Sequence, residues 1–436
     1  MIRTIRCWVK RQAEGGPARV FGLALALLLA AASGLAAQDG GATGDGGQPG
    51  SPATGPVYSL SADAAAGFTL AADGFDPAVA GSAALWSVGA NFLHRIEAPG
   101  WGMALSHKLD LSGLSSSALS FSPSLVVYEA YARLDVGDWG QLFIGKRRMG
   151  LGIGTTFAPG DAIDPRSGFW DQKSGFRGVD VAASLGPDVA LRGAMSLDGN
   201  FDAYAAGLAA KAALAAWAQA PADPALIAAK TAAAAVYTSA LGPAAGPADP
   251  RLVVWALSTD AQFGALQLSA AGVYQPDRIE RPSLGASLDL GGVILQAEGA
   301  VELTGAPDWY GTGGARHTWS HGASSLTLSC DYDYNGKAGA LLKQSHYLLP
   351  YLGYTRDEVL NVYARALVEV GAPSALLAAG LTLYPAQGFD VEFTGSLALG
   401  DGAREFAAQS AQSMPPSPVA GGTLSTSVGL AARVHF

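Results

Sequence analysis

Apolar and polar residues alternate along most of this chain, and the C-terminal segment shows the pattern most clearly. Leu424, Thr426, Val428, Leu430, Ala432, Val434 and Phe436 fall on one face of an extended segment. Thr423, Ser425, Ser427, Gly429, Ala431, Arg433 and His435 fall on the other. A run of about thirteen residues exceeds the five or six of an ordinary soluble strand, and it suits the ~9–11 tilted residues that cross a bilayer. An edge strand of a large soluble sheet is the alternative reading.

The same period recurs upstream. In Val127–Val136, Glu129, Tyr131, Arg133 and Asp135 oppose Ala130, Ala132, Leu134 and Val136. In Val293–Leu303, Gln296, Glu298 and Glu302 oppose Val293, Leu295, Ala297, Val301 and Leu303. Leu326–Tyr334 sets Asp331 and Asp333 against Leu328, Cys330 and Tyr332. Val359–Val370 sets Tyr363, Arg365 and Glu369 against Val362, Ala364 and Val368. Phe389–Leu399 sets Asp390 and Glu392 against Val391 and Phe393. Turn signals such as Glu97-Ala-Pro-Gly100, Gly186-Pro-Asp188 and Gly291-Gly292 separate the segments. Pro350 and Pro385 are expected at strand ends.

Charge on the polar face of nearly every strand suits a wet lumen inside an apolar wall. In hydrocarbon such a sheet must close, because an open edge leaves backbone groups unpaired. The expected fold is all-β: a closed antiparallel transmembrane barrel of about 16 strands, with 14–18 as the range, over residues 57–436. At that size a barrel leaves an aqueous channel.

Two segments stand outside the alternation at the N-terminus. Arg3, Arg6, Lys10, Arg11 and Arg19 precede an apolar run from Val20 to Ala32. The small residues Gly34-Leu35-Ala36-Ala37 follow. Residues 1–37 therefore read as a cleaved export signal, with a retained anchor as the alternative. Residues 38–56, rich in Gly, Pro, Ala and Thr, read as a flexible linker. A third exception, Ala205–Leu241, is alanine-rich and broken by Pro221 and Pro224. Its composition favours helix. It is either a helical loop insert over or into the pore, or a low-complexity surface loop.

The whole chain carries a net charge of −9, and loss of the five basic residues and Glu14 in 1–37 makes the remainder more acidic. That balance argues against nucleic acid as a partner. Only Cys330 remains beyond the signal, so no intramolecular disulfide forms. No metal site or cofactor is expected. The Gly150-x-Gly152-x-Gly154 run lacks the Lys-Ser/Thr of a phosphate loop, and His317 and His321 lie in a non-helical stretch without ligand companions. The chain's six histidines occupy no recognisable nucleophile setting, so an enzyme is not expected.

The stretch from Glu129 to Pro165 resembles porin-type bacterial outer-membrane proteins. Those families often follow such a hairpin with a Trp-Gly-x-Gly-x-x-Phe-x-Pro-x-Asp loop. Gly150, Gly152, Gly154, Phe157, Pro159, Asp161 and Pro165 match it, with Met149 where Trp is common. Tyr347–Phe436 resembles the C-terminal hairpins of the same group. The terminal Phe436 resembles the signature that barrel-assembly machinery reads. The resemblance implies an outer-membrane location in a Gram-negative-type envelope, contact with outer-membrane lipid, and a loop lying against the lumen. Lys146, Arg147 and Arg148 precede that loop; alternation sends at least one outward and the others inward. They either face acidic residues across a constriction or bind headgroup phosphates at a rim. Trp101, Trp139, Trp170, Trp309, Trp319, Tyr310 and Tyr351 are expected in an interfacial girdle, with a sugar-stacking slide as the sharper alternative.

The leading functional reading is a porin-like channel for passive diffusion of small hydrophilic solutes or ions. Its lumen set would be Glu129, Arg133, Lys146, Arg147, Arg148, Asp161, Glu298, Glu302, Asp331, Asp333, Arg365, Glu369, Asp390 and Glu392. Carboxylates outnumber cations there, so a weak cation preference is expected. The alternative is a plugged barrel acting as a structural or adhesive protein, or as a transporter of hydrophobic substrates. The sequence leaves monomer and trimer equally open.

Overall fold

A computed structural model describes residues 56–72, 83–114, 122–153, 158, 159, 161, 163, 175–242, 244–337, 345–357, 359–371, 374–399 and 426–435. Residues 1–37, expected as an export signal, almost all of the expected linker, Phe436, Trp170 and the loop residues Gly154, Phe157 and Pro165 lie outside these described residues.

Eighteen strands form one closed antiparallel sheet, each pairing with its neighbours in sequence, and β1 pairing with β18. They are β1 (Val57–Ala72), β2 (Ala83–Ala98), β3 (Trp101–Leu114), β4 (Ser122–Val136), β5 (Gly140–Arg147), β6 (Phe176–Ser184), β7 (Val189–Ser196), β8 (Val254–Phe263) and β9 (Leu266–Gln275). The circuit continues through β10 (Ile279–Asp289), β11 (Val293–Glu302), β12 (Asp308–His321), β13 (Ser324–Asn335), β14 (Ser345–Arg356), β15 (Leu360–Val370), β16 (Ser374–Ala386), β17 (Phe389–Leu399) and β18 (Thr426–His435). The count is two above the central expectation and at the top of its range.

Up-and-down order puts alternate connections at opposite rims. Eight connections at one rim, the turn rim, span only two to four residues each, from 99–100 to 387–388. Gly100 (φ 82°) and Asp357 (φ 44°) hold the left-handed backbone such turns need. The other rim, the loop rim, carries 148–175, 197–253 and 400–425. Short turns on one side and long loops on the other are the layout of outer-membrane barrels, whose short turns are periplasmic.

Pairing register and exposure separate the two faces. In β13, Leu326, Leu328, Cys330 and Tyr332 are exposed, while Asp331 and Asp333 are buried. Leu295 and Ala297 of β11 lie outward, and Glu298, Ala300 and Glu302 inward. Outward aromatics gather at both rims: Trp101, Trp139, Phe263 and Trp319 at the turn rim, Trp255, Tyr274 and Trp309 at the loop rim. Two such girdles flank a lipid-facing band. Tyr310 and Tyr351 are not part of them. Tyr310 alternates inward, where Arg281 stacks 4.4 Å from its ring, and Tyr351 pairs across strands with Arg365.

Pro350 corrects a second expectation. It sits in the middle of β14, exposed on the outer face, not at a strand end. The β14–β15 register passes from Leu348↔Val368 to Tyr351↔Arg365 with Pro350 in the interval. A proline is tolerated there because the ladder is interrupted where its missing N–H would have donated.

Between β7 and β8, α1 (Asp198–Gln219) and α2 (Pro224–Leu241) form an antiparallel hairpin. Asp223 caps α2 by accepting from the Ala225 N–H at 2.8 Å, with Pro224 opening the helix. The hairpin is fastened to the loop rim at its base. Arg177 holds Asp198 at 2.5 Å and Asp202 at 2.6 Å. Asn200 donates to the Pro247 carbonyl at 2.8 Å, and Ala203, Ala244 and Leu252 bury together. Beyond this base, α2 has no buried residue and α1 only Ala203.

Candidate functional site: the barrel lumen

The inner wall is built by alternation, and the segment after β5 crosses it. Met149, Leu151 and Ile163 of that segment pack on Phe176, Ala194, Ala256 and Val273, which line the inside of β6, β7, β8 and β9. Small residues on those strands leave the space that the loop fills. Ile153 reaches further, to Gly285 of β10, where an added Cβ would stand 2.8 Å from its side chain. Its backbone N–H donates to Glu298 Oε2 of β11 at 2.8 Å. The loop thus leaves the wall at β5 and is tied down at β11, six strands along an eighteen-strand circuit. Gly152 has φ 84°, and a Cβ there would lie 2.3 Å from both Glu298 carboxylate oxygens. The left-handed backbone there favours glycine, and a side chain would displace the Glu298 carboxylate.

Glu298 also begins a polar row at one level of the wall. Register places Glu298, Thr312, Asp333, Tyr347, Glu369 and Ser374 side by side across β11–β16. All six are buried, Asp333 to 3% and Glu298 to 4%. Ser374 Oγ donates to Glu369 at 2.9 Å. One step toward the turn rim on β13, Asp331 lies over Gly314 of β12 and accepts from Gln296 Nε2 at 3.3 Å. At the loop rim Glu302 is ion-paired with Arg281, and Lys337 lies 3.6 Å away.

Most of the inward cations are matched by carboxylates. Arg147 on β5 contacts both oxygens of Asp180 at 2.7 and 2.8 Å and stacks 3.5 Å from the Phe143 ring centroid. Asp180 is 1% exposed. Arg133 lies between Glu97 at 2.8 Å and Asp135 at 3.2 Å. Lys108 meets Asp110 at 2.9 Å. Arg433 is bonded to Glu392 and is 3.7 Å from Asp390. Arg365 lies inward beside the Tyr363 ring, at 5.2 Å.

The three consecutive basic residues separate. Arg147 faces the lumen. Lys146 takes the outward position of its strand, next but one to exposed Ile144, and donates to the Val127 carbonyl at 2.6 Å. Arg148 stacks over Tyr128 at 4.5 Å, and its N–H reaches Glu129 Oε1 at 3.3 Å. Asp161 is buried in the loop, its N–H donating to the Ala158 carbonyl. Tyr128 is the extra residue of a bulge in β4, between Ser106↔Glu129 and His107↔Val127.

The sequence reading missed Asp180, Arg281 and Asp63. Asp180 sits in Phe176–Ser184, where glycine and alanine dilute the alternation. Asp63 of β1 takes part in a bridge at the seam. His435 Nδ1 lies 2.6 Å from Asp63, and Nε2 lies 2.7 Å from Asp390. Protonated, the imidazole donates to both carboxylates; neutral, it donates to only one of them.

No family model matches the chain, and no curated protein matches it in sequence. Solved structures do resemble it. Acinetobacter baumannii OccAB4 has a TM-score of 0.50 at 9% identity, covering 86% of this chain and 97% of that one. Pseudomonas aeruginosa OccK5 (OpdH) gives 0.49 at 10% identity, covering 86% and 97%. P. aeruginosa OccK2 (OpdF), solved in complex with glucuronate, gives 0.48 at 13% identity, covering 87% and 98%. With a closed eighteen-strand wall, apolar outside and charged inside, this chain has the fold of the porin-type outer-membrane β-barrels.

Proposed function

We propose that the protein is an outer-membrane channel for passive passage of small hydrophilic solutes or ions, with a weak preference for cations. The observation that carries this reading is the charged inner wall, set inside an apolar outer one. A barrel of this strand number is wide enough for water. The loop tied to Glu298 supports a narrowed, size-limiting lumen.

The sign of the preference follows from the count of charges on the inner wall. Arg147 is matched by Asp180, Arg133 by Glu97 and Asp135, and Arg433 by Glu392. With Glu298, Asp333, Glu369 and Asp331 added, carboxylates outnumber cations among the described inward residues, an excess of negative charge whatever the individual pairings. Such an excess concentrates cations at low salt, and the effect fades as the Debye length falls to ~3 Å near 1 M. On this reading residues 1–37 direct export, assembly machinery receives the C-terminal strand, and the aromatic girdles meet lipid. Catalysis has no role in it. A plugged, structural barrel draws no support from the helical hairpin, since a plug would be buried in the lumen and α2 has no buried residue.

The test is a planar bilayer containing the purified protein under a salt gradient. Discrete conductance steps and a reversal potential of cation-selective sign are expected. Absence of conductance would sink the channel reading. A clear anion preference would sink the charge argument alone.

A further inference from the structure

Between the crossing loop and the turn rim, the inner wall of β4–β8 encloses a cavity. Met149, Leu151 and Ile163 of the loop pack on Ala194 and Ala256, which pair across β7 and β8. Two residues nearer the turn rim, Arg192 pairs with Ser258. Two further on, Ala190 pairs with Asp260. The period of two keeps all of these on the inner face. The inward residues there, Ala182, Ser184 and Ala190, are small, and a cavity of about 720 Å³ remains at the turn-rim end of the lumen. That volume lies within the ~300–1,000 Å³ of small-molecule sites.

Two opposite charges line this cavity from adjacent strands and do not meet. Arg192 on β7 and Asp260 on β8 stand one diagonal step apart in the register, a Cα spacing of ~7–8 Å. Neither makes an ion pair or a side-chain hydrogen bond among the described residues. Both are partly exposed, unlike the buried carboxylates in the row at Glu298. The other charges nearby are engaged or peripheral. Asp135 lies 3.2 Å from Arg133 and accepts from Gln141 Nε2 at 3.1 Å. Asp180, within the field of Arg192, has both oxygens held by Arg147. Asp138 stands at the cavity's edge, in the exposed β4–β5 turn.

We propose that this cavity binds small zwitterionic solutes of the amino-acid type, with Arg192 taking the carboxylate and Asp260 the ammonium. A carboxylate matches the planar fork of a guanidinium, and an ammonium donates to a carboxylate. A solute carrying both charges satisfies both side chains at once. A plain anion on Arg192 sets its charge against Asp260, and a plain cation on Asp260 sets its charge against Arg192. The position suits a solute that has cleared the loop, because the cavity is the next part of the wall toward the turn rim. The inference rests on the channel reading and names a solute class for it.

The experiment is uptake of radiolabelled glycine into proteoliposomes containing the purified protein. Uptake is expected to saturate, and to be competed by unlabelled β-alanine but not by equal concentrations of acetate or methylammonium. Arg192→Gln and Asp260→Asn, each checked for the heat-dependent gel shift of the folded barrel, are expected to raise the half-saturating concentration at least about tenfold. Asp260→Asn should also let acetate compete, and Arg192→Gln should let methylammonium compete. Three outcomes overturn the proposal: uptake linear in glycine through conducting wild-type pores, acetate or methylammonium competing with the wild type as well as β-alanine does, or half-saturation unmoved in both variants. The first two are read on the wild type alone, so they decide even where a variant fails to fold. Absence of both uptake and conductance would overturn the channel reading instead.

Discussion

Glu298 carries two jobs in one carboxylate. It faces the lumen in the acidic row and accepts the Ile153 N–H that pins the loop. A hydrogen bond to a charged acceptor contributes about 1.5–3 kcal/mol, so removing it shifts a loop equilibrium by roughly 10- to 100-fold. Glu298→Ala is therefore expected to increase open-channel current noise and mean conductance. Glu298→Gln, which keeps an acceptor, should stay close to wild type in noise while losing part of the cation preference. Equal behaviour of the two variants in single-channel recordings would remove Glu298 as the tether. At the hairpin base, the Arg251 side chain and the N–H groups of Ala245 and Arg251 hold the Asp249 carboxyl well below the usual carboxylate range. A depressed value means the stabilisation is complete above the unfolded value near ~4 and fades as pH falls toward the folded one. Hydrogen exchange at the Ala245 and Arg251 amides, corrected for intrinsic rates, should lose protection only below that pH. Loss of protection on raising the pH would contradict the sign. Much of the residue-level site was legible, because alternation alone puts Glu298, Asp333, Glu369 and Asp390 on the inner face. Pairing was not. Which cation meets which carboxylate depends on register between strands, and Asp180 finds Arg147 from 33 positions away.

At the scale of elements, long and strongly patterned strands were read with bounds close to those observed. Phe389–Leu399 agrees at both ends, and Val293–Glu302 differs by one residue. Glycine- and alanine-rich strands such as Phe176–Ser184 gave no comparable signal, since residues without a clear polarity cannot mark a face. The estimate of about 16 strands rests on chain length, and the eight connections of only two to four residues leave room for the two further strands. Pro350 misled for a related reason: a proline signals a lost N–H, and the sequence does not show that the ladder is interrupted there. Alanine in 205–241 carried the helical preference, while the hairpin's N-terminal boundary at Asp198 lay outside the stretch singled out. The register of β13 is testable through Cys330, which is exposed beside Leu328 and Tyr332. In intact membranes a membrane-impermeant maleimide should label it slowly, and detergent extraction should not place it in the lumen. Rapid labelling in intact membranes would mean a one-residue slip, which inverts every side chain of the strand. The helical hairpin is expected to be dispensable for closure, because it buries almost nothing beyond its base. Replacing 199–248 by a short glycine-serine linker should leave strand-dominated circular dichroism and the heat-dependent gel shift unchanged.

For the whole molecule, the seam is the place where the first and last of the described strands meet. Seventeen of the eighteen strand pairings join sequence neighbours; the last joins β1 to β18, with Asp63 opposite His435, 372 positions apart. His435 spans that seam to Asp63 on one side and Asp390 on the other. His435→Gln retains at most part of the bridge, and a loss of about 1 kcal/mol is expected, given that the ring is half exposed. The gel-shift midpoint on heating should fall by a few degrees; an unchanged midpoint would show that the ladder alone closes the wall.

The same seam sets how the chain finds its fold. Hairpins close over a handful of residues, but the seam closes a loop of the whole barrel, and loop-closure entropy grows only logarithmically with length. Topology therefore splits assembly into many fast local steps and a single late non-local one, which contact order places as the slow event. Moving the chain ends elsewhere on the circuit should then change little except which pair of strands comes last. A circular permutant opened at the 264–265 turn, its old ends joined across the turn rim, would turn the present seam into an ordinary hairpin and make β8–β9 the closing step.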